Sequence, residues 1–362
     1  AASQGCQLSV EKIAKIMEDL SQTGDELFIQ FNFSLKKSNL WAPKGFVIAW
    51  EQFPWPSIQT TKTHEEEFSS ISLEKRADYI SLVSGSNIYR ISTASGLIEQ
   101  INLSGRNILA SPMRWNFWRA LTDNDRGWGG EDKMASWKEA EQEIEVESIL
   151  IETEPLKNQT LRINAKIPSK LNTSVTYYGL RGGRLGIDIH YEFPRRNNQF
   201  LQEIPRLGIQ FTLPENYHQL SWYGRGPHEN YSDRKQSAAI GLYHSTVEDW
   251  VTPYVRPQEN ANRTDLRWLT ISEQGPNGLS ISAQAGTTFS ASTWPYSIND
   301  LIHNTHDFQI PQRNFITMNL DSIQRGVGGD NSWGLPVHEA YKISTEQSHR
   351  LHLAIGPYRE SL

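Results

Sequence analysis

Three segments concentrate acids, amides, glycines and aromatic rings as a ligand-binding or reactive surface requires. The first is SPMRWNFWRALTDNDRGWGG, Ser111 to Gly130. Trp115, Phe117 and Trp118 are apolar enough to anchor the backbone. Asp123, Asn124 and Asp125 then place carboxylates and an amide on a loop that Gly127, Gly129 and Gly130, with Trp128 among them, leave free to move. That pattern suits a mobile lid over a ligand; the alternative is a turn whose Asp side chains satisfy their own backbone. The second region is WYGRGPHENYSDRKQ, Trp222 to Gln236, followed by TPYVRPQENANRTDLRW, Thr252 to Trp268. Each carries an acid beside Asn, Glu229-Asn230 and Glu259-Asn260, and Arg234 and Arg263 are the expected partners of those acids. The third is QRGVGGDNSWGLPVHEAY, Gln324 to Tyr341, where Gly326, Gly328 and Gly329 permit a tight path and Asp330-Asn331 can hold it. Trp333 then stands on what should be an exposed loop, open to either sugar stacking or packing.

His228, His306 and His338 lie in or near these loops, and each is a possible general acid or base. No HExxH or close His pair accompanies them, so no metal site is expected. Nucleophile-elbow, Walker and dinucleotide glycine patterns are absent as strand-turn-helix units, which excludes the common nucleophile and nucleotide readings.

The elements that must position these loops read as strands. Leu27, Ile29, Phe31, Phe33 and Leu35 alternate with polar residues, and Gly45 to Phe53 reads as a second strand. The period of Ile13, Ile16, Met17 and Leu20 predicts one short helix before them. Proline, threonine and charge from Pro54 to Glu67 read as a linker, giving domains at 1–57 and 68–362 with a linker at 58–67. Beyond it, strands are expected at Tyr79 to Val83, Ile88 to Ile91, Leu97 to Leu103, Val175 to Tyr178, Leu185 to Phe193, Leu207 to Leu213 and Leu279 to Ala283. Only Glu131 to Glu141 has a further helical look. So many short strands predict an all-β fold, a large antiparallel sandwich.

Composition sets the outer bounds. The 362 residues give a prior of roughly two domains. A net charge of -6, from 35 basic and 41 acidic residues, leaves no basic excess for a phosphate backbone, so no nucleic-acid partner is expected. One cysteine, Cys6, forms no internal disulfide and no thiolate zinc cluster. No apolar run approaches the about 20 residues of a membrane span, and no signal peptide is visible. The compartment, cytoplasmic or periplasmic, is not readable. The 12 Trp, 13 Tyr and 13 Phe suit sugar faces as well as cores.

The blocks FWRALTDNDRG, WYGRGPHENYSDR, TPYVRPQENANRTDLRW and GVGGDNSWG, in this order, resemble the C-terminal part of glycoside hydrolase family 2 β-galactosidases. The resemblance covers about residues 64 to 362, and GFVIAWEQF resembles the last strands of the preceding immunoglobulin-like sandwich. It implies an antiparallel supersandwich related to galactose mutarotases. It also implies hydrolysis of terminal β-galactosides such as lactose by two glutamates on a TIM barrel, with magnesium and sodium bound there. The barrel has no counterpart here, so no catalytic residue, metal or cofactor is expected in this chain. Its implied partners are that barrel, on the same chain or a large subunit, a galactoside, and further copies in an oligomer, without a membrane. Within the chain the resemblance implies that Trp333 joins the sugar platform and that Gly127, Trp128, Gly129 and Gly130 form the loop that closes over sugar. Asp123, Asn124, Asp125 and Asp330 would support them. Two rival readings are a freestanding aldose 1-epimerase, using His228, Glu229 and His306, and a non-catalytic sugar-binding module.

Overall fold

The computed structural model describes residues 26–55, 68–154, 158–194, 203–273, 277–284, 286–331 and 333–358. The chain separates into two compact units, Ala1–Glu66 and Glu67–Leu362. In the first, the alternating residues form the strand Leu27–Ser34, antiparallel to Val47–Trp55. Its apolar face is barer than the alternation predicts, with Phe31 39% and Phe33 60% exposed. Among the described residues this unit consists of that two-stranded sheet, which alone has no second layer of its own to cover the face. Pro54 and Trp55, within the expected domain 1–57, end the second strand opposite Phe28 and Leu27. The helix expected over Ile13 to Leu20 and residues 56–67 of the linker lie outside the described residues.

The second unit is all-β in its framework, and every strand pairing among the described residues is antiparallel. A nine-stranded sheet runs from Ala239–Thr246 at one edge through Gln219–Gly226, His349–Pro357 and Arg184–Glu192 to Glu145–Glu154 at the other. A five-stranded sheet holds Arg263–Leu266, Phe289–Trp294, Phe315–Gln324, Arg206–Pro214 and Ser111–Asn116. A second five-stranded sheet is a meander from Ser72–Lys75 to Arg106–Asn107. The period of two seen in the sequence is plain in Gln219–Gly226, where every second residue is buried. One apolar core joins the sheets, with Leu82 and Tyr89 from the meander, Leu185 and Leu353 from the large sheet, and Leu207 and Met318 from the other.

Register decides where the loops gather. Arg206 pairs with Gln324 and Gly208 with Asn116, so the connections leaving Asn116 and Gln324 emerge from the same end of one sheet. The helix expected over Glu131 to Glu141 is instead three short pieces, Gly130–Lys133, Ala135–Trp137 and Ala140–Glu143, the last two of them 3-10 turns. Its buried residues explain this: Met134, Trp137 and Ala140 recur every three positions, which eclipses on a 3-10 helix and drifts off the face of an α-helix.

Candidate functional site

The aromatic residues before the DND segment anchor it as expected. Trp115, Phe117 and Trp118 are buried, with Trp115 and Phe117 stacked at 6.1 Å. The next residue, Arg119, is wholly buried and holds Asp125 through two bonds, Nε to Oδ2 at 3.1 Å and Nη2 to Oδ1 at 2.8 Å. Arg119 also donates to the carbonyls of Arg325 and Gly326, at 2.5 and 2.9 Å, and so fixes the third segment to the first. Burial pushes the Asp125 carboxyl upward, but Arg119 and the Thr122 N–H outweigh it and hold the group below its ordinary value.

The segment expected as a free loop is folded. Asp123–Gly127 is one helical turn closed by a capping box: Asp125 N–H donates to Thr122 Oγ1 at 3.0 Å, and Thr122 N–H donates to Asp125 Oδ2 at 3.1 Å. Asp125 is therefore committed to the cap and to Arg119. Asn124 Nδ2 donates to the Val327 carbonyl at 3.0 Å, while Asp123 keeps an exposed carboxylate beside Arg126 at 3.3 Å. Trp128, placed in the closing loop by resemblance, is buried with the Arg325 guanidinium 4.3 Å from its ring centre. Gly129 follows at φ 78°, where a Cβ would be strained, and Gly130 is buried.

The third segment lies against the first and second. Asp233 accepts the N–H groups of Val327 and Gly328 at 3.1 and 2.7 Å. A Cβ on Gly326 would stand 2.7 Å from that carboxylate, which accounts for the glycine. A Cβ on Gly334 would stand 3.1 Å from the Gly127 carbonyl, so Trp333 projects beside the DND turn. Trp333 is 89% exposed, and its backbone N–H donates to Asn331 Oδ1 at 2.9 Å. Asp330 is also exposed and meets His338 Nε2 at 2.7 Å.

The second region forms a polar wall beside these loops. Glu229 Oε1 accepts from Arg234 Nη2 at 2.5 Å and from the Tyr254 hydroxyl, while Oε2 accepts the Ala261 N–H at 3.0 Å. The expected Arg234 pair is present. The expected Arg263 to Glu259 pair is not: Arg263 lies over the Trp250 ring at 4.6 Å and donates to the Pro227 carbonyl at 2.8 Å. Glu259 faces the wholly buried Arg206 at 3.6 Å instead. His228 meets Ser237 at 2.9 Å, and burial with Arg263 and Arg234 nearby lowers its pKa. His306 stacks on Phe308 at 5.4 Å. His228, Glu229 and His306 thus have separate partners.

The buried charges Arg119, Arg206, Arg325 and Asp321 were not singled out in the sequence. Their signal was a charge within an apolar strand, as in PRLGIQF and MNLDSIQR, where burial demands a partner. Asp321 supplies it, accepting from Arg206 Nε at 3.0 Å and Nη2 at 2.7 Å.

Comparison with known proteins assigns this arrangement to a family. A family model described as "Beta galactosidase small chain" matches residues 84–355. The chain belongs to that family. A model described as "Beta-galactosidase, domain 4" matches residues 5–56. Among curated relatives, a beta-galactosidase of Priestia megaterium is 31% identical over 335 residues, covering 92% of this chain and 32% of the relative. One from Bifidobacterium adolescentis is 30% identical, covering 91% of this chain and 32% of the relative. The chain therefore spans about a third of the length of the curated relatives it matches. A solved putative aldose 1-epimerase from Escherichia coli K12 overlaps 81% of this chain and 100% of its own, at 10% identity and a TM-score of 0.40.

Proposed function

We propose that this chain is the C-terminal part of a retaining family 2 β-galactosidase acting on terminal β-D-galactosides such as lactose. On this reading Trp333 supplies part of the sugar platform, and the two catalytic glutamates lie on a TIM barrel outside the chain. The observation that carries the proposal is the bare indole of Trp333, held on a loop that Arg119 and Asp233 fix to the sandwich. Stacking a sugar face on an indole removes on the order of 70 Å² of apolar surface from water, worth about 2 kcal/mol at about 25 cal/mol per Å². The ring touches sugar in ground and transition states alike, so its effect falls mainly on KM.

Asp123 and Asp125 do not replace the missing pair of acids. A retaining mechanism needs two carboxyls about 5 to 5.5 Å apart on opposite sides of one glycosidic bond, and Asp125 is committed to Arg119. Gly127, Trp128, Gly129 and Gly130 remain the segment assigned to closure, which must break or carry along the Arg325 contact with Trp128. The described residues bring together no group of three or more His, Cys, Asp or Glu side chains suited to a metal. On this reading magnesium and sodium belong to the barrel, and no step here runs through them. The epimerase reading gains no support from Glu229, whose two oxygens are occupied by Arg234, Tyr254 and Ala261.

The test is Trp333→Ala in the complete enzyme. KM for a galactoside should rise about tenfold with kcat changed less. An unchanged KM would remove Trp333 from the platform.

A further inference from the structure

The strand Ser111–Asn116 is an edge of its five-stranded sheet, and its two faces differ. Trp115 and Phe117 stack on the core side, so Arg114 and Asn116 point the other way. There Arg114 Nη1 donates to Glu141 Oε1 at 2.7 Å, and Glu141 borders a cavity of about 270 Å³ together with Asn116 and Trp118. These last two are buried, at 6% and 8% exposure, yet each keeps one polar atom that no group among the described residues satisfies. Asn116 spends Nδ2 on Asn319 Oδ1 at 2.9 Å, which leaves its own Oδ1 an open acceptor, and the Trp118 indole N–H is an open donor. Neither atom is sealed from solvent, and the cavity is the open space that both residues border. A nearly buried donor and acceptor that can still be reached there are groups that an occupant satisfies.

We propose that this cavity binds a neutral molecule of about monosaccharide size that carries several hydroxyls. Hydroxyls both donate and accept, so one such molecule satisfies Asn116 Oδ1 and the Trp118 N–H together. Phe117 and Trp137 also border the cavity, and this apolar surface suits a ring with hydroxyls at its edge and C–H groups on its face. Charge argues for a neutral ligand. Arg114 and Lys138 are balanced by Glu139 and Glu141 around the space, so a charged molecule would lose its hydration without meeting an excess of the opposite sign. Size agrees, because the space holds several waters but is smaller than the about 300 Å³ at which drug-sized pockets begin. Gln142 and Asn299, exposed at the rim, add amides that no group among the described residues occupies. The inference does not rest on the galactosidase reading, because neither Trp333 nor the DND turn borders this cavity.

The experiment uses D-galactose as probe, with the full 362-residue chain, in soaked crystals and in ligand-observed NMR titration. Sugar should occupy the cavity with hydroxyls on Asn116 Oδ1 and Trp118 Nε1. Trp118→Phe, which removes the indole N–H, should weaken that site about 3- to 10-fold. The double change Gln142→Ala with Asn299→Ala, which touches only exposed side chains, should weaken it by a similar factor with Tm unchanged. D-galacturonate, the anionic analogue, should bind there about tenfold more weakly than galactose. Trp333→Ala should leave the cavity's occupancy unchanged. The proposal is overturned if the cavity holds only water at saturating sugar, if either folded variant binds as the parent does, if galacturonate binds there as tightly as galactose, or if Trp333→Ala empties the cavity.

Discussion

Arg119, Arg206 and Arg325 have no exposed side-chain surface, and a guanidinium out of water needs a carboxylate close beside it, supplied here by Asp125, Asp321 and Glu203. Asp125→Ala should therefore lower stability by about 3 to 5 kcal/mol, because it strands the Arg119 charge and also removes the helix cap. Trp333→Ala, by contrast, should change stability by no more than about 0.5 kcal/mol, since its ring is exposed. Urea denaturation of both variants separates these outcomes. The acids differ in sign with pH. Asp125 is held below its ordinary value, so its contribution is present above about pH 4 and lost as pH falls. Asp321 and Glu259 share one guanidinium, Arg206, and burial raises both, Asp321 to about 6. That contribution is complete below the unfolded value of 3.8 and lost as pH rises toward about 6. Glu259→Gln leaves one carboxylate to one guanidinium, so the urea midpoint should no longer fall between about pH 4 and 6 relative to the parent. An identical fall in both proteins would show that the pair does not hold the extra proton.

Elements of regular period were legible, and those set by tertiary contacts were not. Apolar runs bounded by turn residues located the strands Tyr79–Ser84, Arg184–Glu192 and Arg206–Pro214, most of whose residues are buried on both faces. The same local reasoning missed the three-residue spacing of Met134, Trp137 and Ala140, which broke the expected helix, and it read the DND segment as a loop. Its glycines and acids suit a loop equally well; the Thr122 capping box, the Arg119 pair with Asp125 and the Val327 carbonyl from a distant part of the chain together make it a turn of helix. Glu259 was misassigned to Arg263 for the same reason, since its true neighbour Arg206 lies on another strand. The placement of Trp333 was legible because flanking glycines kept it off any strand, whereas the burial of Trp128 needed Arg325. Thr122→Ala should cost about 1 kcal/mol and speed amide exchange at Asp125 to Trp128 while leaving the sheet amides unchanged. Unchanged exchange there would mean that Arg119, and not the cap, holds the turn.

At the scale of the whole molecule, the proposal makes this chain a contributing part of a larger enzyme. The sandwich buries a large core common to its sheets and uses its loops to present an exposed ring beside a folded DND turn. Curated beta-galactosidases about three times as long contain matching sequence over about a third of their length. The proposal divides the labour accordingly, with sugar contact here and bond cleavage elsewhere. The most direct test is hydrolysis of a nitrophenyl β-galactoside by the purified 362-residue chain, alone and joined with the barrel-bearing remainder of the enzyme. The account predicts no turnover by the chain alone and turnover on joining, with KM raised about tenfold when the chain carries Trp333→Ala. Turnover by the chain alone that disappears on changing Asp123 or Asp125 to Ala would contradict it.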